Sequence, residues 1–118
     1  MKVQELRIGN YVIDNLEICQ VIQIESNGNV MTTCKSKFPI SHINELQSVE
    51  LTEDLLLKCG FESKYFGIKT FYNPLMELDH DFYLMGVDYG VKIKHLHQLQ
   101  NLYFVLTGKE LEIKLPLL

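Results

Sequence analysis

Apolar and polar positions change period along the chain, and each change marks an element. Leu6 to Asp14 alternates, interrupted at Gly9-Asn10, where positive φ costs little and a turn or bulge leads into a strand. Leu16 to Glu25 reads as a strand, with Ile18, Ile22 and Ile24 on one side and Cys19 and Val21 on the other. Ser26-Asn27-Gly28-Asn29 follows, and its Asn-Gly pair favours a type I′ turn, so Val30 to Cys34 is the returning strand of a hairpin. Pro39 restricts Phe38 to extended backbone and ends that pattern.

Thr52 is placed to cap a short helix from Glu53 to Cys59, with Glu53 and Asp54 in its first turn. Gly60 takes the left-handed position after it, and Phe61 packs back. Tyr65 to Lys94 reads as an aromatic β-meander: a strand over Tyr65 to Tyr72, a turn at Asn73-Pro74, and a strand over Phe82 to Met85. A turn at Asp88-Tyr89-Gly90 leads to a third strand over Val91 to Lys94. The period then switches to helical from His95 to Thr107, with Gly108 as the stop. Leu111 to Leu115 alternates like an edge strand or an ordered tail that ends at Pro116. The expected architecture is a single α+β domain over 1–118: a β-rich body of N-terminal hairpin and aromatic meander, a short middle helix and a C-terminal amphipathic helix.

That last helix has two faces of interest. Advancing about 100° per residue, Leu96, Leu99, Leu102, Tyr103 and Leu106 fall on one core-facing stripe. Opposite stands Phe104, flanked by His97, Gln100 and Asn101, and His95 to Thr107 contains no charged side chain. An aromatic ring among amides and imidazole is a poor solvent face. Two arrangements account for it. Either the same chain covers it, with Gln100 and Asn101 bonded to loop backbone, or it is a contact face for a partner, a second copy or a small ligand. His97, Gln100, Asn101 and Phe104 are therefore the candidate interaction residues.

Composition narrows the partners. The chain has 118 residues, 47% hydrophobic and 22% charged, which suits one ordinary globular core. Its net charge of −4 and pI near 5.5 disfavour nucleic acid, which is gripped by basic patches. The dense basic pairs are Lys35/Lys37 and Lys92/Lys94, each at strand spacing. Cys19, Cys34 and Cys59 form an odd set without a C-x-x-C motif, and read as buried small hydrophobes in a reducing, cytoplasmic setting. The opening MKVQELRIGN holds no apolar signal core, and no apolar run is long enough to span a bilayer.

Catalytic chemistry finds no motif. G-x-S-x-G, P-loop and G-x-G-x-x-G patterns are missing from the sequence, so no catalytic or cofactor-binding residue is assigned and no cofactor is expected. His95 and His97 form an H-x-H pair, but on a helix the two diverge by roughly 200° and cannot share an ion. Completing such a site would need His42, His80, Asp79 or Asp81, and no metal ligand is assigned. Asp79-His80-Asp81 reads as a solvated turn. Cys34 and Cys59 would act as nucleophiles only beside a base, which spacing does not provide.

His97-Gln98-Leu99-Gln100-Asn101-Leu102-Tyr103-Phe104-Val105-Leu106-Thr107-Gly108-Lys109-Glu110-Leu111 resembles the C-terminal signature of an uncharacterised family of Bacteroides-type bacteria and their phages or mobile elements, roughly H-Q-L-Q-N-L-Y-F-A-L-T-G-E-E-L. Leu6 to Val12 and Leu51 to Phe61 are similar to the same family, while Val105 and Lys109 depart from it. The resemblance implies a bacterial or phage cytoplasmic setting and assigns no activity. The L-x-x-G-x-x-V run from Leu6 to Val12 also resembles the lead-in of small SH3-like barrels. The expectation is a non-enzymatic interaction module that contacts a protein partner or itself through the C-terminal helix. The alternatives are a nucleic-acid accessory protein using Lys35, Lys37, Lys92 and Lys94, and a small-ligand binder with a pocket in the aromatic meander.

Overall fold

A computed structural model describes residues 1–34, 40–65, 67–86 and 90–114. By their contacts the residues fall into two units, Met1–Glu50 with His95–Asn101, and Leu51–Lys94 with Leu102–Leu118. Lys35, Lys37, Phe38, Pro39, Asp88, Tyr89, Leu115 and Pro116 lie outside the described residues.

In the first unit, Gly9 at φ +98° turns the chain into strand β1 (Tyr11–Asp14), as its position in the sequence suggests. β1 then runs into β2 (Glu17–Ile24) through a two-residue turn in which Asn15 and Leu16 both hold positive φ, 52° and 67°, with Asp14 opposite Glu17. The expected strand start at Leu16 is thus displaced by one residue. Leu16 is a turn residue, 92% exposed, because a two-residue connection between twisted strands needs left-handed backbone at both positions.

β2 pairs with β3 (Asn29–Thr32) across the Asn27-Gly28 hairpin, but the turn differs from type I′. Glu25 N–H donates to Asn29 O, and Gly28 N–H donates back to Glu25 O, so three residues form the loop. Gly28, at φ +96°, takes the left-handed place that such a loop requires, and Asn27 keeps negative φ while its side chain accepts from Asn29 N–H. A register shift between Val21 and Gln23 adds a second departure. Cys19 and Val21 face inward and Ile22 is exposed, while beyond the shift Ile24 turns toward the core.

β4 (Ile40–His42) follows, then a 3-10 turn over Ile43–Glu45, and β5 (Gln47–Ser48) returns beside β1. The sheet order is β4-β3-β2-β1-β5, antiparallel throughout. Leu6, Val12, Val21, Val30, Ile43 and Leu46 form its apolar cluster, with Met1, Val3 and Ile24 packed against it.

The second unit begins with the expected helix, α1 (Glu53–Lys58). Thr52 Oγ1 accepts from Leu55 N–H, Gly60 sits at φ +86°, and Phe61 N–H donates to Leu56 O. β6 (Glu62–Tyr65), β7 (Lys69–Asn73) and β8 (Met76–Leu78) make an antiparallel three-stranded sheet.

The meander is therefore placed earlier than the aromatic pattern suggests. Phe82 to Met85 and Val91 to Lys94 pair through the isolated bridge Tyr83–Lys92, with Leu84 N–H donating to Val91 O at 2.8 Å and Ile93 N–H to Phe82 O at 3.0 Å. Leu84 also bridges to Leu78, but neither run is a full strand among the described residues. The cause is local. Asp79 Oδ1 accepts from both Asp81 N–H and Tyr83 N–H, and Phe82 sits at φ +66°, so extended pairing is cut short at Phe82. Phe82 instead packs edge-on against Phe71, ring centroids 5.7 Å apart. Leu111 to Lys114 forms no strand; Leu111 is buried and Lys114 N–H donates to Lys58 O.

Helix α2 (Leu96–Thr107) matches the helical period, with His95 just before it and Gly108 at φ +72° after it. Burial is graded along the axis rather than across the wheel. Leu96, His97, Leu99 and Gln100 are buried, Leu102 and Tyr103 half-buried, and Leu106 is 55% exposed. A helical wheel discards axial position, so Leu106 shares the core stripe by angle yet lies at the exposed end of the axis.

Candidate functional site

The four candidate residues on α2 have different surroundings. Gln100, 4% exposed, accepts from Tyr11 N–H at 2.9 Å and donates from Nε2 to Gly9 O at 3.0 Å. Asn101 accepts from Asn10 Nδ2 and donates to Glu5 O, both at 2.8 Å. His97 is fully buried, with Nε2 3.8 Å from Glu5 Oε2. The lead-in to β1 thus covers three of the four. Phe104, in the second unit, is 37% exposed.

His97 and His95 are nearer neighbours than a helical wheel allows. α2 starts at Leu96, so the wheel does not govern His95, and the two rings stack nearly parallel at 5.7 Å. Burial holds the His97 pKa below the ordinary imidazole range, and the neighbouring His95 adds to this; the Glu5 carboxylate opposes it. His42 belongs elsewhere, with Nδ1 accepting from Asn44 N–H at the 3-10 turn. His80 pairs with Asp81 in the exposed turn at 3.2 Å. These histidines and aspartates form no metal-binding group among the described residues.

The exposed end of α2 carries the larger apolar surface. Phe104, Val105 and Leu106 are successive residues at 37%, 75% and 55% exposure. Leu106 also lines an open depression of about 400 Å³ with Leu75, Met85, Tyr72 and Leu84, all residues of the second unit. Leu75 and Met85 are themselves exposed. The charges on its lining include Lys64 and Glu77, which pair at 3.4 Å. A second concavity of about 870 Å³ is lined by Tyr103, Leu57 and Pro74 together with Lys58, Lys109 and Glu110. Lys92 is exposed, with Nζ 5.7 Å from the centre of the Tyr83 ring.

One cluster carries no motif in the sequence. Glu17, Cys19 and Cys34 bring their donor atoms within 4.8 Å of one another, with Cys34 Sγ 3.0 Å from Glu17 Oε2. Burial, then Cys34 beside it, then the Asp14 charge push the Cys19 thiol up to about 11. Cys59, in the second unit, is pushed up to about 12 by burial alone. The signal for the cluster was the pairing register. An unbulged two-residue hairpin would set Cys34 opposite Val21; the three-residue loop moves it by one position and the register shift in β2 by one more, opposite Cys19. No protein-family model, curated protein or solved structure matches the chain.

Proposed function

We propose that the protein is a non-enzymatic binding module that engages a protein partner through the C-terminal end of α2. The observation that carries this reading is Leu106, 55% exposed on a helix without a charged residue and joined by the exposed Leu75 and Met85 around one depression. An apolar patch of this kind is a recurrent mark of protein contact surfaces. The Lys64–Glu77 pair leaves little net charge on the lining, so the fitting partner presents apolar side chains rather than a charged segment.

The first unit is read as SH3-like. Four meandering strands, a 3-10 turn and a fifth strand returning beside the first support that reading. The C-terminal signature supports a bacterial or phage cytoplasmic setting. No helix among the described residues is long and apolar enough to cross a membrane.

A photo-crosslinking side chain at position 105, introduced in the full chain and activated in the producing cell, tests the contact. A discrete protein adduct that disappears with Leu106→Asp is the expected result, and an adduct of twice the chain mass identifies the partner as a second copy. No adduct, or one indifferent to Leu106→Asp, overturns the reading.

A further inference from the structure

We propose that Glu17, Cys19 and Cys34 form a binding site for a thiophilic divalent cation of the Zn²⁺ class. Glu17 and Cys19 are two residues apart on β2, so their side chains leave the same face of the strand. Cys34 reaches that face from the other arm of the hairpin. The Val21–Thr32 pairing continues through Thr33 N–H donating to Gln20 O at 3.0 Å and Gln20 N–H donating to Thr33 Oγ1 at 2.9 Å. The next residues along the two arms are Cys19 and Cys34. The three-residue loop and the bulge in β2 together build the cluster, in keeping with the tendency of bulges to re-aim side chains at sites.

The spacing suits a tetrahedral ion. Bond lengths of about 2.3 Å to sulfur and 2.0–2.2 Å to oxygen set donor atoms roughly 3.5–3.8 Å apart. The three donor atoms here lie within 4.8 Å of one another, and the Cys34–Glu17 pair is at 3.0 Å, so small side-chain rotations bring all three onto one ion. Both thiols are buried, at 2% and 7% exposure, while Glu17 is half-buried and leaves the fourth position on the solvent side for water. Asp14, fully buried on β1 and paired across the hairpin with Glu17, adds a negative field that favours a cation. Two sulfur donors select Zn²⁺ over Mg²⁺ or Ca²⁺. On binding, each thiol forms a sulfur–metal bond and releases its proton to solvent.

Cobalt(II) is the probe, added to the full chain after reduction and removal of bound metal. The expected result is one cobalt per chain, with thiolate-to-cobalt charge-transfer absorption that Zn²⁺ abolishes by displacement. Cys19→Ser and Cys34→Ser lose the absorption, Glu17→Gln weakens binding by roughly tenfold or more, the scale for groups that support metal sites, and Cys59→Ser leaves it intact. A reduced wild-type chain that shows no charge-transfer band with excess cobalt overturns the proposal without recourse to any variant. So does a band that survives Cys34→Ser. A chain that joins Cys19 to Cys34 as a disulfide in air, yet takes up no cobalt when reduced, also overturns it and identifies the pair as a redox couple.

Discussion

Gln100 and Tyr11 lie 89 residues apart in sequence, yet the Gln100 side-chain oxygen accepts the Tyr11 backbone N–H at 2.9 Å. The same amide donates to Gly9 O, so a single buried side chain serves the backbone on both sides of Asn10. Gln100→Leu keeps the approximate volume and removes both bonds from a buried setting. It should destabilise the chain by about 1–3 kcal/mol, the usual cost of depriving buried polar groups of their partners. Chemical denaturation of the variant checks this, and an unchanged midpoint would mean that the Gly9–Tyr11 backbone is held without the helix.

His97 makes stability depend on pH. Its folded pKa is lowered, so below the unfolded value near 6.5 the unfolded chain binds a proton that the folded chain resists. Stability from this group is therefore unaffected above about pH 6.5 and falls as pH drops below it. His95 and the N-terminal ammonium act in the same direction, and Glu5 opposes them. Melting temperatures measured from pH 7.5 to 5 should fall with acidification, and His97→Gln should flatten that slope. An equal slope in the variant would place the sensitivity elsewhere.

The polar anchoring of α2 shows how much sequence conveys. Period alone located the helix to within one residue, while the absence of charge on its far face left open whether the chain itself or a partner meets Gln100 and Asn101, which bond to the Gly9–Tyr11 lead-in and to Glu5 O. It did not reveal which end of the helix is exposed, because Leu106 and Leu96 share a stripe yet differ in axial position. The cysteine cluster was illegible for a related reason. A third loop residue and a bulge each change pairing by one position without leaving a composition signal, and only the two together set Cys34 against Cys19. The strand expected from Phe82 is cut short where the Asp79 side chain captures two backbone donors, a local competition that strand propensity does not register.

Leu16 is a place where the native residue opposes its backbone. It holds φ +67° in the β1–β2 turn and is 92% exposed, so it contributes little packing to offset the left-handed strain. Leu16→Gly restores the Asn-Gly pair that such turns favour. Relief of the strain outweighs the entropy of an added glycine, and the variant should be more stable by about 0.5–1 kcal/mol. A rise in the denaturation midpoint at unchanged slope is the expected reading; a fall would show that the Leu16 side chain is held by contacts worth more than the strain.

Gly28 and Gly60 separate backbone strain from steric collision. Both hold positive φ, at 96° and 86°. A Cβ at Gly60 meets nothing within 4 Å, whereas one at Gly28 lies 2.6 Å from His42 Nε2. Gly60→Ala therefore carries only the left-handed penalty, about 1–2 kcal/mol before the entropy gain of losing a glycine. Gly28→Ala carries that penalty and also displaces the His42 ring, whose Nδ1 accepts from Asn44 N–H at the start of the 3-10 turn. The Gly28 variant should be the less stable of the two, by about the 1 kcal/mol of a lost hydrogen bond. Introducing His42→Ala should shrink that difference, since the ring that collides with the new methyl is then gone. Equal losses at both glycines, with or without His42, would show that the ring moves aside freely and that the 3-10 turn does not depend on its cap.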